Sequence, residues 1–136
     1  INDRNSVLLQ KRSEFKALEP NRWDLSCAEH LTSGENYTQA AVRGLQEELG
    51  LKVGEKSLRL LRDTYRHSAS YSEQGLVENE LIRTFGLKAS FGDLSFDRNE
   101  VSDTKLWEID DVIEMVSKQP EMFTTWFCDE IKNVDL

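Results

Sequence analysis

At 136 residues the chain is long enough for one domain with a real core and too short for two. Twenty-five acidic against 17 basic side chains leave a net charge of −8, so no broad basic face is available for a nucleic-acid backbone. An acidic chain still suits a phosphorylated small molecule when a metal ion screens its carboxylates.

The chain starts at Ile1 directly on a strand-like stretch, from which we expect an upstream N-terminal strand to be missing. Val7 to Arg12 reads as a buried strand entered through the turn-prone Asn2-Asp3-Arg4-Asn5. A loop containing Pro20 leads to a short extended piece, Trp23 to Ser26. From about Tyr37 the pattern turns helical, with Ala41, Leu45 and Leu49 at i, i+4 and i+8 forming a stripe toward a core. Gly50 stands where a left-handed C-terminal cap is expected. Leu58 to His67 and Gly75 to Ala89 read as two long strands, the second rich in branched and aromatic residues. Thr104 to Glu108 is a further strand, after which Asp110 or Asp111 caps a helix carrying Val112, Ile113 and Val116. Beyond Pro120, Phe123 to Val134 forms a last amphipathic helix. There are no repeats and no low-complexity tract, so residues 1–136 are expected to form a single domain. Strands interrupted by a helix and closed by two late helices predict an α+β fold or a mixed α/β/α sandwich.

Cys27 and Cys128 lack CxxC spacing and read as free thiols of a reducing compartment, with a single disulfide left open. No run approaches the roughly 20 apolar residues of a membrane span and no signal-peptide pattern opens the chain, so a cytoplasmic protein is expected.

The chemistry lies in carboxylates. Glu47 and Glu48 fall near a helix C-terminus, where the macrodipole disfavours negative charge unless solvent or a cation compensates. Glu78 and Glu80, two apart on a strand, point to one face, and like charges there call for a counter-ion or an exposed edge. Hard oxygen donors from a helix and a strand suit Mg²⁺ or Mn²⁺. A lone histidine is more often structural than a ligand, but His30 has chemically suggestive neighbours.

Residues 34–51, GENYTQAAVRGLQEELGL, resemble the second half of a Nudix box, G-x5-E-x7-R-E-U-x-E-E-x-G-U. Glu35, Arg43, Leu45, Glu47, Glu48, Gly50 and Leu51 are in place, whereas the opening glycine is Glu29 and the first glutamate after the arginine is Gly44. The strand Leu8 to Arg12, the segment Trp23 to His30 with Gly34-Glu35, the stretch Val77-Glu78-Asn79-Glu80, Trp107 and Trp126 extend the resemblance to the branch containing type 1 isopentenyl-diphosphate isomerases and their hydrolase relatives. The resemblance implies a Nudix-type α/β/α sandwich around a mixed β-sheet, with Mg²⁺ or Mn²⁺ held by Glu47, Glu48, Glu78 and Glu80. It also implies loop bracing by Gly34, Glu35, Arg43 and Gly50, and catalysis by Glu47, Glu48 and Glu80. Substrate contacts are expected from Lys11, Arg12, Lys16 and His30, with Trp126 and Tyr71 as a wall for the organic half.

The departures shape the reading. The isomerase cysteine position is Ala28, and Cys27, one residue away on an extended segment, would turn to the other face as a small core residue. Gly44 removes a carboxylate and weakens the helix by about 1 kcal/mol, with no local benefit visible in the sequence. Glu29 is a candidate compensating carboxylate, the plainer account being a surface residue tolerated in a degenerate box. The leading expectation is an Mg²⁺-dependent pyrophosphohydrolase acting on a nucleoside or other small-molecule organic diphosphate. A catalytically weakened domain that binds a diphosphate or a protein partner is the first alternative, and isomerase-like activity the second. Monomer and homodimer both stay open.

Overall fold

The computed structural model describes residues 1–136. Strand β1 (Ser6–Arg12) lies at the centre of a three-stranded antiparallel sheet, flanked by β2 (Trp23–Asp24) and β5 (Val101–Glu108). Helix α1 (Tyr37–Leu49) follows β2, and β3 (Leu58–Tyr71) and β4 (Leu76–Leu87) form a long antiparallel hairpin. Helices α2 (Ile109–Lys118) and α3 (Thr125–Asn133) close the chain, giving the expected α+β class. Every strand ladder is antiparallel; the parallel component is a single bridge between Trp23 and Phe123.

Several boundaries move for local reasons. The last helix does not start at Phe123: Pro120–Met122 form one 3₁₀ turn, and α3 begins after Thr124, whose hydroxyl accepts from the Phe127 amide at 3.3 Å. Neither Asp110 nor Asp111 caps α2. Both lie within its first turn, where the helix dipole favours them, and Glu108 takes the N-cap position without a side-chain bond. Helix α1 starts with a capping box in which Asn36 accepts from the Gln39 amide at 2.9 Å and Gln39 returns the bond at 3.0 Å. It ends on Gly50, at φ 69°. Its deepest residues are Ala40, Gly44 and Leu49, while Ala41 and Leu45 are only half-buried. The buried stripe is rotated from the expected one, and at Gly44 the loop side chains of Cys27 and Glu29 lie close against the helix.

The core joins Leu9, Trp23, Val112, Val116, Phe123 and Phe127, with Trp23 and Trp107 meeting edge to face at 5.4 Å. Asp24, 2% exposed, ties this core to the cleft described below. Its Oδ1 accepts from the Leu25 amide (2.7 Å), Trp126 Nε1 (2.8 Å) and the Thr124 hydroxyl (3.1 Å), and Arg12 lies 3.4 Å from Oδ2. Burial raises the Asp24 pKa, and these four donors pull it back. We expect Asp24→Ala, which strands all four donors, to cost about 3 kcal/mol in urea unfolding. Trp126→Phe, which removes one donor, should cost about 1 kcal/mol.

Candidate functional site

A cleft of about 1030 Å³ opens between the β3–β4 hairpin on one side and α1, α3 and the segment after β2 on the other. Glu29, His30, Glu47, Glu48, Glu78 and Glu80 all line it. They arrive there by two local rules. On α1, Glu47 and Glu48 sit one turn beyond Arg43 and Gly44. On β4, Glu78 and Glu80 share the face turned to the cleft, with Ala69 and His67 directly opposite on β3.

Arg43 organises the loop. Its Nε and Nη2 clasp both oxygens of Glu35 at 2.7 and 3.0 Å, Nη2 also donates to the His30 carbonyl at 2.7 Å, and Nη1 reaches Glu47 at 3.1 Å and Glu29 at 3.3 Å. The Thr32 amide donates to Glu35 at 2.9 Å, closing the turn in which Gly34 takes φ 85°. The Arg43 bond, helped by that amide, holds the Glu35 pKa down at about 2. Arg43 is raised in return.

Glu48 is in the opposite condition. It faces the Cys27 thiol and the Ala28 amide, and its pKa is pushed up to about 7, first by burial and then by the negative charge of Glu29 and Asp24, against the lowering effect of those two donors. Burial and the neighbouring Glu48 push the Cys27 thiol pKa well up, so it is a poor thiolate at neutral pH. Cys27 does not turn away from the site as expected. Residues 25–32 carry no strand structure, so strand parity does not govern them.

The remaining carboxylates have partners of their own. Glu80 meets His30 Nε2 at 2.9 Å, and Glu78 lies 3.8 Å from His67 and 3.5 Å from the Tyr71 hydroxyl. No three acidic, histidine or cysteine side chains converge on one point as a closed metal cage. The four expected metal ligands therefore share one cleft without forming one preassembled centre.

The expected substrate contacts divide. Arg12 lines the cleft, 5.0 Å above the Trp126 ring, with its guanidinium engaged by Asp24 and the Leu18 carbonyl. Lys16 also lines it and pairs with Glu100. Lys11 does not: its ammonium lies 5.9 Å from the Trp23 ring, outside the cleft lining. Trp126 lines the cleft and gives its indole N–H to Asp24.

Two features escape sequence reading. An ideal Cβ on Gly44 would stand 2.8 Å from Glu29 Cβ and 3.1 Å from Cys27 Sγ, so the glycine makes room for the segment above it. On α3, Glu130 is buried and accepts from Tyr65 (2.6 Å) and Arg62 (2.9 Å), fastening the helix to β3. Its spacing of three from the buried Phe127 was the available signal.

Comparison with known proteins gives a consistent picture. The NUDIX domain family matches residues 1–127. A relative named isopentenyl-diphosphate Delta-isomerase, from Pectobacterium atrosepticum, is 35% identical over 128 residues, which are 93% of this chain and 68% of the relative. Among solved structures, a Deinococcus radiodurans protein superposes with a TM-score of 0.75 at 22% identity, covering 99% of this chain and 78% of that one. The NUDIX domain of Shewanella oneidensis NrtR, solved with ADP ribose, gives 0.66 at 19% identity, covering 94% and 74%.

Two expectations follow from the geometry. Gly44→Ala should destabilise the native chain by about 1 kcal/mol, because overpacking against Glu29 outweighs the gain in helix propensity. In a Glu29→Gly background the same substitution should stabilise, so a double-mutant cycle in urea would read a coupling of at least about 1 kcal/mol. The second concerns pH. Because the folded-state pKa of Glu48 is raised above its ordinary 4.5 to about 7, its stabilising contribution is complete below pH 4.5 and is lost as pH rises to 7. The melting temperature of the native chain should therefore fall relative to Glu48→Gln between pH 5 and pH 8; parallel curves would contradict this.

Proposed function

The chain belongs to the NUDIX domain family, and on that premise we propose that it is a divalent-metal-dependent pyrophosphohydrolase acting on a small organic diphosphate derivative. The observation that carries this reading is the acidic doublet Glu47–Glu48 at the end of α1, set on an open cleft and facing carboxylates of β4 across it. The ADP-ribose complex of the Shewanella oneidensis domain supports the ligand class, since that fold accommodates a diphosphate. No helix is long and apolar enough to cross a membrane.

The donor set fits Mg²⁺ or Mn²⁺. All candidate donors are hard carboxylate oxygens, and the negative charge crowded around Glu48 favours an added cation. A closed cage is not required, because magnesium binds through one or two carboxylates together with water and substrate phosphates. Glu47 and Glu48 would hold it, with Glu80 or Glu78 completing the set from β4. When bound, the metal would neutralise the diphosphate and favour attack by water at phosphorus.

The chain's own residues supply the rest. Arg43 fixes the α1 acids relative to the loop while leaving Glu48 free of an ion pair. Glu80, which meets His30 at 2.9 Å, would orient water or accept its proton. Arg12 and Lys16 put positive charge on the cleft wall for the diphosphate, and Trp126 offers an aromatic surface to the organic half.

Isomerase-like chemistry is the second reading, favoured by the name of the Pectobacterium relative and by the Cys27 thiol beside Glu48. Ala28 opposes it, as does the Tyr65 hydroxyl, which is already given to Glu130.

Mass spectrometry of a panel of nucleotide sugars, dinucleoside polyphosphates, nucleoside triphosphates and isoprenyl diphosphates should reveal Mg²⁺-dependent release of a phosphorylated product. Glu48→Gln should lower that turnover by about 100-fold or more. Metal-dependent uptake of solvent deuterium into isopentenyl diphosphate, without hydrolysis, would overturn the hydrolase reading in favour of the isomerase.

A further inference from the structure

The chain departs from the Nudix box at two positions that are remote in sequence and touch in space. A Cβ on Gly44 would stand 2.8 Å from Glu29 Cβ and 3.3 Å from Glu29 Cγ, well inside the roughly 3.5–4.0 Å of a normal carbon contact. The two sites therefore cannot both carry a side chain in this arrangement. Position 44 precedes Glu47 and Glu48 by three and four residues, so a side chain there would belong to the same helix face. The stem of Glu29 runs through the volume such a side chain would occupy, entering from the loop rather than from the helix.

The carboxylate of Glu29 is held. Oε1 accepts from the His30 amide at 2.9 Å, and Oε2 lies 3.3 Å from Arg43 Nη1, the nitrogen that also reaches Glu47 at 3.1 Å. Arg43 thus keeps a loop acid and a helix acid together at one end of the doublet, on the wall of the cleft. Glu29 is exposed as a residue, but its side chain, 24% exposed, lies against Gly44 and is held by these two contacts.

We infer that Glu29 and Gly44 are a reciprocal exchange, in which the carboxylate missing from the helix is delivered from the loop and Glu29 belongs to the carboxylate set that receives the metal and the diphosphate. The inference rests on the pyrophosphohydrolase reading and adds to it a residue that the box pattern does not contain. It also assigns Gly44 a role. The glycine is the vacancy through which Glu29 reaches the doublet, and its cost to helix propensity is the condition of that reach.

The test is Mn²⁺ binding by the full chain, read from the electron paramagnetic resonance signal of free Mn²⁺ with methylenediphosphonate as a non-hydrolysable diphosphate probe. Circular dichroism would confirm that each variant is folded. The native chain should bind Mn²⁺, Glu29→Gln should weaken binding about tenfold or more, and Glu29→Gly combined with Gly44→Glu should restore the native affinity. Unchanged affinity in Glu29→Gln, or a combined variant no better than Glu29→Gly alone, would overturn the exchange and leave the hydrolase reading standing. A native chain that fails to bind Mn²⁺ with the probe would remove both. Should the combined variant not fold, Glu29→Gln decides alone.

Discussion

The guanidinium of Arg43 is the constraint on which the site depends. It joins α1 to the loop before it through Glu35, Glu47, Glu29 and the His30 carbonyl, so four groups share one rigid planar fork. Its single positive charge stands against several carboxylates. Two of its contacts clasp Glu35, which is why that acid is held near pKa 2 while Glu48, half-buried and without a cation of its own, is driven toward 7. The contrast between two acids of the same helix-loop unit separates, by environment alone, an acid held by a cation from one without a counter-charge.

A second set of polar contacts decides where the cleft can be. Asp24 gathers Arg12, Thr124 and Trp126, and Glu130 gathers Tyr65 and Arg62, so the N-terminal end of α3 is pinned to the central sheet and its middle to the hairpin. These are buried or half-buried charges, whose worth is orientation more than net stability. They leave the inner face of the hairpin, with Glu78, Glu80 and His67, opposed to α1 rather than packed on it. The superpositions on the Deinococcus radiodurans protein and on the Shewanella oneidensis NUDIX domain show this fold is shared, and a shared fold does not by itself fix the chemistry of the side chains at its opening.

Gly44 shows how a local rule can be broken for a non-local reason. Within α1 it is a defect, a helix-weakening residue in place of an acid. In the folded chain it is a contact surface for Cys27 and Glu29. The same displacement explains why the buried stripe runs through Ala40 and Gly44 instead of Ala41 and Leu45, and why Cys27 lies beside Glu48.

Much of the architecture was legible before folding. The existence of α1, its Gly50 cap and the strand alternation that pairs Glu78 with Glu80 are properties of neighbours a few residues apart, and neighbours decide them. The sequence by itself also determined which acids are available and that Glu47 and Glu48 share a helix end. Tertiary structure alone decided which acid is braced and which is left without a cation, that Lys11 leaves the cleft while Arg12 remains, and that Glu29 passes through the space above Gly44. Each of these depends on contacts between segments far apart in the chain, or on burial, and neither quantity is a function of spacing along the sequence.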